Sequence, residues 1–197
     1  MENGTPAARP VIRRGDSRQR LLDAALSLFA RNGVNGTSLQ MIADELGVTK
    51  AAVYHQFNSK DEIVLAVAAP ALEQMDAAVT AAENLPTAHE QFEGMLDGLV
   101  QLVLDNAGFA ATLQRDPELG RLLRADHRYD SLTARMDTLL IGSSPEPAAR
   151  VALATAGGGL MVAGIDPALA GIDRDTIGRV LLQSARATLA PYTRAAH

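Results

Sequence analysis

Cysteine is missing from all 197 residues. Its absence excludes a disulfide scaffold, a thiolate metal site and a cysteine nucleophile, and it fits a cytoplasmic address. No run of eighteen uninterrupted apolar residues occurs, so no membrane span is expected. The opening, "MENGTPAARPVIRRGDSRQR", has no apolar centre of the kind a signal peptide needs and reads as a basic arm over residues 1–15. Alternating apolar–polar runs and hairpin turns are lacking too, which argues against a sheet. The four histidines are scattered rather than grouped, so they suggest no metal site. The triplet Gly157-Gly158-Gly159 stands in no GxGxxG, has no P-loop Lys or Ser, and lies in no βαβ context. No cofactor is expected.

Positive charge is also short overall, and the formal net charge is −5. The deficit is uneven. Residues 1–60 hold eight Lys/Arg against five Asp/Glu, whereas residues 61–197 hold ten against eighteen. A mildly positive head on an acidic body suits a protein that docks one end against a polyanion.

What the chain does have is helical punctuation. In "SRQRLLDAALSLFARNG", Leu21, Leu22, Ala25, Leu28 and Phe29 recur at helical spacing behind Asp16 or Ser17 as N-cap, and Gly33 marks the end. Thr37 or Ser38 can cap a second helix through Leu39, Ile42, Ala43 and Leu46. Gly47 allows a tight reversal, and Thr49 can cap a third helix, "KAAVYHQF". Neither of these short helices is stable alone, so all three are expected to share one small core. "NSKDEI" restarts a helix with Ser59 and Glu62 at capping-box spacing. The spacing predicts this helix over 59–84, kinked near Ala66–Pro70, with further helices over 88–106, 109–114, 117–141, 146–163 and 173–190. The fold class is all-α: a head at 16–58 carrying a helix-turn-helix, and a regulatory and dimerisation body at 59–197.

The second helix of such a pair presents its first turn to the major groove. Thr49, Lys50 and Ala51 therefore lead. Lys50 can reach a guanine edge or a phosphate, Thr49 can donate to phosphate, and Ala51 can pack on a thymine methyl. Tyr54 and His55, one turn on, can fix register on the backbone. Lys60, at the next helix start, is a phosphate-clamp candidate, and Thr37 and Gln40 can reach the neighbouring strand. Arg13, Arg14 and Arg18 can track phosphates or enter a minor groove. Each has an ordinary alternative as solvated or packed surface, whereas Ala52, Val53 and Phe57 read as core.

Taken in order, "RLLDAALSLFARNGVNGTSLQMIADELGVTKAAVYHQFNSKDEI", residues 20–63, resembles the TetR family of bacterial transcriptional regulators. The resemblance implies a homodimer on a palindromic double-stranded operator and a ligand-responsive C-terminal body, acting as a repressor. It maps DNA contacts onto Thr37, Gln40, Thr49, Lys50, Ala51, Tyr54, His55 and Lys60. Ala51 stands where the family often has Gly, and Met41 where it often has a polar residue; both bear on operator preference. Beyond residue 63 the likeness is organisational and names no effector.

In the body, Phe92, Met95, Leu96, Leu99, Val103, Phe109, Leu113, Leu122, Tyr129, Leu132 and Met136 are candidates to wall a cavity for an apolar or amphipathic small molecule. His89, Gln101, His127 and Asp130 are its polar candidates. Val151, Leu153, Ala154, Leu160 and Met161, with Ile177, Val180, Leu181, Ala185 and Leu189, are candidates for a four-helix dimer interface. Two other classes stand beside the regulator: a helical binding or interaction protein without operator activity, and an enzyme. No supported Ser-His-Asp arrangement, metal motif or phosphate loop can be assembled for the enzyme.

Overall fold

The computed structural model describes residues 14–193. The basic arm expected at residues 1–15, Arg13 included, lies outside the described residues, except that the first helix already runs from Arg14. Ten α-helices and two 3₁₀ turns make up the described residues, with no strand among them. The fold is all-α.

Three helices form the head: α1 (Arg14–Gly36), α2 (Leu39–Leu46) and α3 (Lys50–Tyr54). Asp16 and Ser17 are not caps, because α1 starts before them. Gly33 breaks α1 near its end, with φ 73° and ψ 165°, a left-handed backbone that favours glycine. Ser38 caps α2, its Oγ accepting from the Met41 N–H at 3.2 Å. Gly47 closes α2 in the left-handed region at φ 66°. Thr49 caps α3 by accepting from the Ala52 N–H at 3.2 Å. Leu21, Ala25, Phe29, Ile42 and Val53 are buried together behind this turn. Burying a side chain of the larger kind stabilises by about 1.5–3 kcal/mol, enough jointly to hold helices too short to stand alone.

The body follows as α4 (Lys60–Glu83), α5 (Ala88–Asp105), α6 (Ala107–Arg115), α7 (Pro117–Arg124), α8 (His127–Ile141), α9 (Pro147–Ala163) and α10 (Arg174–Leu189). Single 3₁₀ turns sit at Pro167–Leu169 and Ala190–Tyr192. Helix α4 is central and packs on α1, α5, α7 and α8. It is long and apolar enough, by length and composition, to cross a membrane. Within the fold, however, Ile63, Val64, Val67, Ala68, Leu72 and Val79 are buried in the common core.

Helical dihedral angles continue across exposed Pro70, and the non-helical residue within a helix is Gly33 of α1. One expectation is corrected here. The segment expected as one helix over 117–141 is two, because Asp126 caps α8 by accepting from the Arg128 and Tyr129 N–H groups. Arg135 ties α8 to α4, reaching Asp76 at 3.1 Å and Glu83 at 2.6 Å.

Candidate nucleic-acid interface

The first turn of α3 faces outward. Thr49, Lys50, Ala51, Tyr54 and His55 are all exposed, whereas Val53 and Phe57 are buried behind them. The division follows helical spacing: 50, 51 and 54 share one face, and 53 with 57 the other. Lys50 Nζ lies 5.7 Å from the centre of the Tyr54 ring, a cation–π approach that keeps both side chains on the leading face. The Thr49 hydroxyl accepts the capping bond and retains its proton, so it can still donate to an anion. Val48, at 44% exposure in the turn, adds an apolar surface that the sequence reading left out.

Three residues around this edge are otherwise engaged. Thr37 is 2% exposed, and its hydroxyl donates to the Gly33 carbonyl at 2.8 Å. As a side-chain DNA contact it is corrected to a lock on the α1 break. Lys60 turns inward, Nζ donating to the Val34 carbonyl at 2.6 Å and the Thr37 carbonyl at 3.1 Å. Its ammonium satisfies carbonyls freed where α1 stops, so it is a brace within the head rather than an extended phosphate clamp. Gln40 is exposed beside the turn and donates to Asp44 at 2.7 Å, leaving its carbonyl oxygen outward. Arg18 lies over the Phe57 ring at 5.0 Å, which anchors it on the head.

One junction residue escaped the sequence reading. Asp116, between α6 and α7, is the one charged side chain buried among the described residues, at 8% exposure. Its Oδ1 caps α7, accepting from the Glu118 N–H at 2.9 Å and the Leu119 N–H at 3.3 Å. Its Oδ2 accepts from the backbone N–H of Val34 in the head. The Asp-Pro pair at 116–117 carried the signal for the cap. Nothing local signalled a partner 82 residues away.

The body holds a partly open cavity of about 300 Å³. Six of the sequence candidates meet there: Leu99, Val103, Phe109, Leu113, Tyr129 and Met136. Phe92, Met95, Leu96 and Leu132 are buried elsewhere in the core, and Leu122 is half-buried off the cavity; these five are corrected to packing residues. His89, Gln101, His127 and Asp130 are exposed and line no part of it. Its polar edges are Asn106, Tyr129 and Thr133, and no Asp, Glu, Lys, Arg or His reaches the wall. Among the described residues no three His, Asp or Glu side chains converge to hold a metal.

The dimerisation candidates divide as well. Leu189 is buried within the subunit, and Leu153 and Met161 line the cavity, so these three are corrected to interior positions, whereas Leu160, Leu181 and Ala185, though nearly buried, form the floor of an apolar groove between α9 and α10. Ile177 is half-buried in the same groove. Val151, Ala154 and Val180 remain open, with Val151 at 66% exposure. Val162 and Ile172, which the sequence reading left out, extend the same apolar surface.

Comparison with known proteins adds to this geometry. Residues 21–67 match the family model described as bacterial regulatory proteins of the tetR family. Over 54 residues the chain is 48% identical to the HTH-type transcriptional regulator SrpR of Pseudomonas putida, covering 27% of this chain and 25% of that protein. Over 60 residues it is 45% identical to the HTH-type nicotine-responsive transcriptional repressor HdnoR of Paenarthrobacter nicotinovorans, covering 30% of this chain and 31% of that one. These matches span well under half of either relative. The structure of the ketosteroid transcriptional regulator KstR2 of Mycobacterium tuberculosis superposes with TM-score 0.67 at 19% identity, covering 94% of this chain and all of that one. At that identity the likeness is one of fold, and it extends through the body. Head match and whole-chain fold agree in kind: residues 21–67 form a head of the tetR-family type, and the rest of the chain follows the fold of the KstR2 structure.

Proposed function

We propose that the protein is a ligand-responsive transcriptional repressor that binds a two-fold-symmetric DNA operator as a homodimer. The observation that carries this reading is the exposed leading turn of α3, where Thr49, Lys50, Ala51, Tyr54 and His55 stand clear of the core. A five-residue helix backed by a sealed three-helix core can enter a major groove with its first turn while α2 braces it. Lys50 reads base edge or phosphate, Thr49 and Tyr54 hold phosphate, and His55 and Gln40 set register from the sides.

A palindrome needs two heads held by one body interface. The outward stripe of α9, Val151, Ala154, Gly158 and Val162, lies beside Val180 and Ile172 as an uncovered apolar surface. The small residues permit close helix approach, and the valines supply area, so a second copy of this chain is the fitting occupant. The body cavity suits an uncharged, mostly apolar effector, because no ionised side chain is there to pair with a charge and an unpaired buried charge is costly. HdnoR, similar over 60 residues, is named as nicotine-responsive, which supports the effector-controlled reading. The target being chromosomal DNA, the place of action is the cytoplasm.

Selection from a pool of random duplexes, followed by fluorescence anisotropy on the enriched sequence, tests the proposal. Enrichment of an inverted repeat bound by two chains is the expected result. Recovery of no preferred sequence at moderate salt would overturn it.

A further inference from the structure

The α1 break is held from both sides of one residue. The Val34 N–H donates to Asp116 of the body, and the Val34 carbonyl accepts from Lys60 at the start of α4. Val34 itself is 1% exposed, so its N–H cannot readily fall back on water, while its carbonyl also accepts from the Thr37 N–H at 3.3 Å. The left-handed Gly33 is what turns that N–H out of the helical ladder and toward Asp116; a Cβ placed at Gly33 would sit 3.3 Å from Asp116 Oδ2.

The other oxygen of Asp116 is fixed to α7, and the residue itself joins α6 to α7. Both helices wall the cavity: α6 through Phe109, Ala110 and Leu113, and α7 through Leu123. A single buried carboxylate thus spans the cavity wall and the end of the first head helix.

We propose that Asp116 is the positioning residue through which occupation of the body cavity sets the placement of the DNA-binding head. The inference rests on the operator reading above. Filling the cavity moves α6 relative to α7, Asp116 moves with their joint, and the Val34 peptide follows because its buried N–H is bonded to that carboxylate. The head then tilts about the Gly33 break, where the helical ladder is already interrupted. A ligand that prefers one placement of α6 shifts the population of head orientations by its differential affinity.

The test is a double-substitution cycle. Ala110 is buried on the cavity wall, so Ala110→Phe places a phenyl group in volume a ligand would use, as a covalent stand-in. Asp116→Ser keeps a capping oxygen for α7 and is too short to hold Val34. Affinity for the sequence selected by the unsubstituted protein is measured for all four variants, along with the Val34 amide resonance and its hydrogen exchange. Ala110→Phe is expected to change affinity by about fivefold or more and to shift the Val34 amide, and both effects fall away when Asp116→Ser is present. Equal effects in both backgrounds would overturn the proposal, because a merely structural Asp116 gives additive losses. An Ala110→Phe variant that leaves affinity and the Val34 amide unchanged overturns it too. If no sequence is selected at all, the operator reading fails while the Val34 resonance still decides the coupling. Ala110→Leu and Asp116→Asn serve where circular dichroism shows that a first-choice variant is unfolded.

Discussion

Lys60→Met separates a brace from a phosphate clamp. The Met side chain keeps the apolar stem and removes the ammonium, taking the donor from the Thr37 carbonyl, 3.1 Å from Nζ, and leaving the Val34 carbonyl, 2.6 Å from Nζ, with only the Thr37 N–H at 3.3 Å. Hydrogen bonds from a charged donor contribute about 1.5–3 kcal/mol each when well buried. Lys60 is half-buried, and water can reach part of the gap, so a combined loss of about 2 kcal/mol follows. For a chain of this size each 1 kcal/mol moves the melting temperature by about 2–4 °C, which puts the fall at about 4–8 °C. The assay is thermal unfolding followed by circular dichroism, paired with operator affinity measured against salt. The salt slope is expected to stay where it was, because the ammonium donates to carbonyls rather than to phosphate. An unchanged melting temperature together with a slope lower by about one per head would refute the reasoning and restore the clamp.

Lys50→Ala and Tyr54→Ala are expected to leave the melting temperature nearly unchanged, both side chains being exposed, and to weaken operator binding by about tenfold each in anisotropy titrations. Val180→Glu puts a charge on the open α9–α10 surface and is expected to yield monomers in sedimentation without loss of helix content. Burial raises the Asp137 carboxyl above the usual aspartate range, so the folded state favours its protonated form and loses stability as pH rises through that window. Asp137→Asn is therefore expected to raise the melting temperature at neutral pH and to have no effect in acid. The Arg135 hydrogen bond holds Glu83 below its usual range; its stabilisation is present above the ordinary glutamate value and fades as pH falls through the lowered one, so Arg135→Met is expected to flatten the acid limb of stability against pH.

The head was legible because its signals are local. Ser38, Gly47, Thr49 and Ser59 each act on backbone within a few residues, and the apolar spacing of Leu21, Ala25 and Phe29 declares one face. Lys60 and Asp116 were not legible, since their partners stand 23, 26 and 82 residues away and only the fold brings them near. Periodicity also cannot tell a cavity wall from packed core: Met95 and Leu99 lie on one helix with the same chemistry, yet only Leu99 meets open space. Helices α9 and α10 have apolar residues on more than one face, so Leu189, fully buried in its own subunit, read from sequence much like Val180, which is open. The α7–α8 division was hidden because Asp126 caps α8 without a Gly or Pro beside it.

The absence of cysteine makes the most direct test clean. Val48→Cys, in the exposed turn just before α3, can carry a single iron-chelate reagent that cleaves nearby DNA. On the selected operator the account predicts two cleavage clusters, symmetrically placed and about one helical turn, or a multiple of it, apart. Diffuse cutting along the duplex, or a single cluster with no symmetric mate, would contradict it.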